Sequence, residues 1–96
     1  MSSIYDSLAE AIRAKQPVAL ITVIDGPHLG GKLLVGPGAK PAGSLGHPEL
    51  DRVAHRDALA ELEAGRSGVR HYGPEGETTP EDLLDTPIVR VFVESW

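Results

Sequence analysis

Apolar residues recur every four positions at Ile4, Leu8 and Ile12, with Tyr5, Ala9 and Ala11 beside them. That is the stripe of an amphipathic helix. Ser3 followed by Asp6 has the form of a capping box in which Asp replaces the usual Glu. Arg13 and Lys15 sit where the helix dipole favours cations, and Pro17 restricts Gln16, so the pattern predicts a helix over residues 3–15. The period then shortens. Residues 18–25 (VALITVID) are apolar on both alternating faces except at Thr22, which predicts a central strand covered on both sides. Gly26-Pro27 ends it, and residues 32–35 follow at a spacing that suits a hairpin with a loop of about five or six residues.

A third short strand is expected near residues 40–45, although they are poor in β-formers. Residues 48–64 return to helical spacing: Leu50, Val53, Ala54, Ala58 and Leu62 share one face, and charged side chains occupy most of the other. His47 is the expected N-cap, Pro48 the first helical residue and Gly65 the residue that ends the helix. Residues 69–72 form a candidate short strand, Pro74-Glu75-Gly76 a turn, and residues 77–87 an acidic loop or single helical turn. Residues 88–94 alternate, with Val89, Val91 and Val93 on one face, and predict the last strand. The expected fold is α+β: one domain over residues 1–96, with a four- to five-stranded mixed or antiparallel sheet packed by two helices.

Composition sharpens this picture by exclusion. Ninety-six residues leave no room for two independent cores. A net charge of −5 argues against nucleic acid or an anionic membrane as partner. The chain has no cysteine, so thiolate metal sites, disulfides and a Cys nucleophile are all excluded. No apolar run approaches the ~18–20 residues that cross a bilayer, and no signal-peptide pattern precedes Asp6 and Glu10. A cytoplasmic protein is the default expectation.

The candidate chemistry lies between residues 26 and 51, which hold seven of the eleven glycines and four of the eight prolines. Gly30, Gly31 and Lys32 open the second strand, and Gly43-Ser44-Leu45-Gly46-His47 runs straight into the second helix. A glycine turn feeding a helix start can present several N–H groups to one anion, and it can equally be a tight capping turn. Glu49 and Asp51 at that helix start would oppose a phosphate there, so Lys32 is the expected source of positive charge. Lys32 also reads as an ordinary solvated strand-end lysine. His28, His47, His55 and His71 lack the spacing of helical metal ligands, and Ser44 lacks that of a nucleophile elbow. No catalytic residue and no metal site is assigned.

The motifs GGKLLV (residues 30–35), GSLGHPELD (residues 43–51) and VRVFVES (residues 89–95) resemble the N-terminal domain of the XdhC/CoxI family. These are accessory proteins for molybdenum hydroxylases such as xanthine dehydrogenase and carbon monoxide dehydrogenase. The resemblance implies a non-enzymatic role: binding the molybdenum cofactor, of molybdopterin type, and inserting it into a client molybdenum hydroxylase. It also implies that Gly30, Gly31, Lys32, Gly43, Ser44, Leu45, Gly46 and His47 contact this cargo. The chain departs from the family pattern at His47-Pro48-Glu49 and at Asp85-Thr86-Pro87, where members commonly carry cysteine, so sulfur-linked handling of the cofactor is excluded. The alternative is a non-catalytic dimerisation or docking domain that keeps the fold without ligand binding. A homodimer is expected, with the acidic residues 75–85, Trp96 and a sheet edge as the features that favour association.

Overall fold

The computed structural model describes residues 4–26, 28–38, 40–73 and 89–96. Helix α1 (Ile4–Arg13) leads into strand β1 (Ala19–Asp25), followed by β2 (Lys32–Val35) and the three-residue β3 (Ala42–Ser44). Helix α2 (Pro48–Ala64) then precedes β4 (Gly68–Tyr72) and β5 (Val89–Ser95). The sheet order is β3-β2-β1-β5-β4, and every neighbouring pair is antiparallel. The expected α+β architecture is therefore present with five strands, and β1 is central. The expected capping box involves Ser3, and the turn and acidic loop fall between residues 74 and 87; these lie outside the described residues.

Strand alternation divides the core into two layers. Ala19, Ile21 and Val23 of β1 point to the α2 side, where they meet Leu33, Val35, Val89, Val91 and Val93 and the helix residues Leu50, Val53, Ala54 and Ala58. On the other side Val18, Leu20 and Leu34 meet Ala11, with Ile4 and Leu8 packed against them. Burying a Val or Leu side chain contributes ~1.5–3 kcal/mol, so the α2 layer carries most of the stability. β5 runs one residue past its expected end, to Ser95, while its expected first residue lies outside the described residues; β1 contains a bulge between Val23 and Asp25 that shifts the register to Arg90.

Local chemistry sets both ends of α2. The extended His47 accepts the Glu49 N–H on Nδ1 at 3.2 Å, Pro48 occupies the first turn, and Gly65 ends the helix in the left-handed conformation. A polar network then locks α2 to the sheet edge. Buried Tyr72 donates to Asp57 Oδ2 at 2.7 Å, while Arg70 donates to Glu61 Oε1 at 2.6 Å and lies 3.6 Å from Asp57. Burial, reinforced by the Asp57 carboxylate, pushes the Tyr72 phenol well above its ordinary value. The hydrogen bond from Arg70 holds Glu61 below the usual carboxylate range.

Candidate functional site

The two glycine stretches meet at one corner of the sheet. The β1–β2 loop folds on itself through Gly30 N–H to Val23 O and Gly31 N–H to His28 O, both at 2.9 Å. A β-carbon on Gly31 would lie 3.3 Å from the Ser44 carbonyl oxygen and 3.6 Å from Leu45 Cα. The loop before β2 therefore packs backbone to backbone against the segment before α2, closely enough that a side chain at residue 31 would press on the His28 and Ser44 carbonyls. Gly43 has φ +90°, and a β-carbon there would collide with the Lys32 carbonyl oxygen. At Gly46 the space a side chain would occupy is taken by the imidazole of His28, itself at φ +60°.

Asp51, in the first turn of α2, reaches back across this corner. Its Oδ1 accepts the Leu45 N–H at 2.6 Å and its Oδ2 accepts the Ser44 hydroxyl at 2.7 Å. Ser44 Oγ in turn accepts the Gly46 N–H at 3.0 Å. The amides of Gly30, Gly31, Leu45 and Gly46 thus all have acceptors within the chain. A backbone that could bind an anion is occupied by the protein's own carboxylate, which also suits the positive end of α2. As folded, the corner offers an external anion none of these four donors, and displacing Asp51 would free only the Leu45 amide among them.

The remaining expected residues separate. The Leu45 side chain is fully buried in the α2 layer, so Leu45 faces the corner only through its backbone. His47 is occupied as the helix cap. Lys32 pairs in register with Thr22 and Ser44, and its ammonium donates to Thr22 Oγ1 at 3.3 Å and lies 6.0 Å from the centre of the Tyr5 ring. Those contacts are on the α1 side of the sheet, because Leu33, its neighbour, points into the α2 layer. Beside Asp51, on the α2 side, a shallow cleft of about 380 Å³ is lined by Leu33, Pro41, Gly43, Pro48, Arg52 and His55. Its cationic residue is Arg52, which is bound to Glu49 at 2.9 Å, and His55 lies beside it in the lining. Among the described residues, no group of His, Asp or Glu side chains is arranged to hold a metal ion, and no helix is long and apolar enough to cross a membrane.

Reading the residues from sequence missed Asp51 as the closing group and His28 as the side chain packed on Gly46. Asp51 was visible as an acid at a helix start, but nothing local indicated that it would turn toward Leu45. His28 carried no signal, since its contact with Gly46 is purely tertiary.

Fold and corner together define a small α+β domain whose two glycine-bearing loops close on each other at one end of an antiparallel sheet. The chain belongs to the XdhC and CoxI family, whose profile matches residues 11–73. The match runs from the last turn of α1 through β4, so it includes the whole corner and omits β5. Membership connects the chain with the maturation of molybdenum hydroxylases, in which the family acts as accessory factors. No curated protein matches the sequence.

Proposed function

We propose that this domain is a non-catalytic accessory factor that binds the molybdenum cofactor and passes it to a client molybdenum hydroxylase. The observation that carries this reading is the family match across residues 11–73, which contains both glycine loops and the helix start between them. The convergence of Gly31 on Ser44 and Leu45 supports it, because the two loops form one surface. The cleft beside Asp51 has a volume in the range of small-molecule sites, ~300–1,000 Å³. A phosphate-bearing pterin entering there meets Arg52 and His55 rather than Lys32, and reaches the Leu45 amide only by displacing Asp51.

A second reading, an interaction domain that has kept the fold without cargo binding, is favoured by that same carboxylate. Co-elution of the purified protein with molybdopterin, or its cytidylylated form, separates the two. Retention at micromolar ligand, with a gain in Asp51→Asn and a loss in Arg52→Ala, supports cargo binding at the cleft. No retention by either wild type or Asp51→Asn leaves the interaction domain.

A further inference from the structure

The two layers of the core are filled differently. On the α2 side Leu45, Leu50 and Val53 press on the sheet. On the α1 side the buried residues are Ala11, Val18, Leu20 and Leu34, and the helix lines its gap to β2 and β3 with Ser7, Ala11 and Ala14. Those three lie at i, i+4 and i+7, with Ala14 continuing the helical turn through its N–H to Glu10 O at 3.0 Å. Their side chains are too short to close the gap. What remains is a groove of about 330 Å³ floored by Val18, Leu34 and Ala42, at the low end of the range of small-molecule sites, ~300–1,000 Å³. It lies on the opposite side of the sheet from the cleft beside Asp51.

The groove is toward the end of the sheet where Ala19 pairs with Val35. Strand β4 ends and β5 begins beyond β1 at the other end, level with Asp25. Helix α1 starts over Gly43, and the groove runs under its later turns.

Its rim carries Glu10 on α1 and Lys40 on the turn between β2 and β3, both exposed. Elsewhere on the domain Arg52, Arg56, Arg66, Arg70 and Arg90 each face a carboxylate. Glu10 and Lys40 instead make no ion pair or side-chain hydrogen bond with any described residue, and the groove keeps them apart from each other. A ligand with one charge would satisfy one of them and be repelled by the other. Only a molecule carrying both signs matches the rim.

We propose that this groove binds a small zwitterion, with its ammonium at Glu10, its carboxylate at Lys40 and a short apolar chain over Val18 and Leu34 between them. The apolar chain covers a floor that water now touches, and the two charges fix its direction. The site is separate from the cleft beside Asp51, so it stands whether or not the domain carries the cofactor.

The probe is 6-aminohexanoate, whose two charges stand at the ends of an unbranched chain, with hexanoate and hexylamine as its single-charge counterparts. An amide NMR titration of the whole chain reads Ala11, Ala14 and Leu34. The zwitterion is expected to give saturating shifts at these residues with a Kd of ~1–10 mM. Each single-charge probe is expected to bind about two- to five-fold more weakly, the worth of one exposed ion contact. Glu10→Lys or Lys40→Glu alone weakens the zwitterion by at least that factor, and the two together restore it with the ligand reversed. Both positions are exposed, and unchanged signals from the α2 layer confirm that each variant is folded. Absence of saturating shifts up to ~50 mM, equal affinity for all three probes, or no recovery in the double variant would each overturn the proposal.

Discussion

Replacing Asp51 with alanine removes the group that closes the corner, and its cost can be worked from the contacts. The Leu45 N–H loses its acceptor while the residue stays fully buried, and an unsatisfied buried amide costs ~1–3 kcal/mol. Loss of a carboxylate from the first turn of α2 adds ~0.3–1 kcal/mol through the helix dipole. The Ser44 hydroxyl is exposed and finds water, so its share is small. The sum is about 1.3–4 kcal/mol. For a domain of this size each kcal/mol lowers Tm by ~4–8 °C, so a fall of about 5–30 °C is expected.

Asp51→Asn distinguishes the hydrogen bond from the charge. Its carbonyl oxygen can still accept the Leu45 N–H, and the cost should stay below ~1 kcal/mol. Urea denaturation followed by far-ultraviolet circular dichroism measures both variants, and an unchanged m-value shows that the difference is one of stability. An alanine variant within ~0.5 kcal/mol of wild type would refute the reasoning, as would an asparagine variant as unstable as alanine.

Gly43→Ala should destabilise by well over the ~1 kcal/mol expected of Gly65→Ala. Both glycines have positive φ, but only at Gly43 would the new carbon strike backbone, and thermal melts of the pair give the comparison. Tyr72, whose phenol is shifted upward, binds its proton more tightly folded than unfolded. Its contribution is present below the ordinary value of 10.0 and lost as pH rises through the shifted one. In a Tyr5→Phe background, tyrosinate absorbance should therefore appear only with alkaline unfolding; absorbance from the folded state near pH 10 would contradict it. Glu61 is shifted the other way, so its contribution is present above 4.5 and lost as pH falls through its lowered value. Glu61→Gln should flatten the acid limb of the stability–pH curve, and an unchanged limb would count against the Arg70 contact.

The parts of this fold legible in the sequence are those fixed by local chemistry. His47, Pro48 and Gly65 act within one or two residues of the helix ends they set, so α2 follows from sequence with both bounds correct. Strand β1 follows from an apolar run on both faces and β2 from the hairpin spacing after Gly26-Pro27, but neither pattern assigns which face meets α2. Strand β3 lies within the expected stretch 40–45, although Ala42, Gly43 and Ser44 have no strand preference of their own. They become a strand by pairing with β2 and by the anchoring of Leu45 in the core. Lys32 was placed by proximity in sequence to two glycines, while the two-residue period of the strand turns it toward Thr22 and Tyr5. That period was available, but the register with β1, which gives it meaning, is a long-range property.

The Ser44–Asp51 contact has the same character, and it links stability to the functional reading. Those residues are seven apart, and the chain reverses between them at Gly46, with φ +106° and His28 packed on it. A glycine turn at a helix start, read alone, looks like a vacant anion site. With its acid folded back it is a self-satisfied cap. An anionic cargo must therefore compete with a carboxylate covalently tethered to the site, and cargo affinity and fold stability draw on the same donors. Asp51→Asn weakens that competitor while keeping the cap. Under the cargo reading stability falls slightly and retention rises; under the interaction-domain reading stability falls by the same amount and retention stays absent. Stability alone cannot distinguish the two readings, whereas the sign of the retention change can.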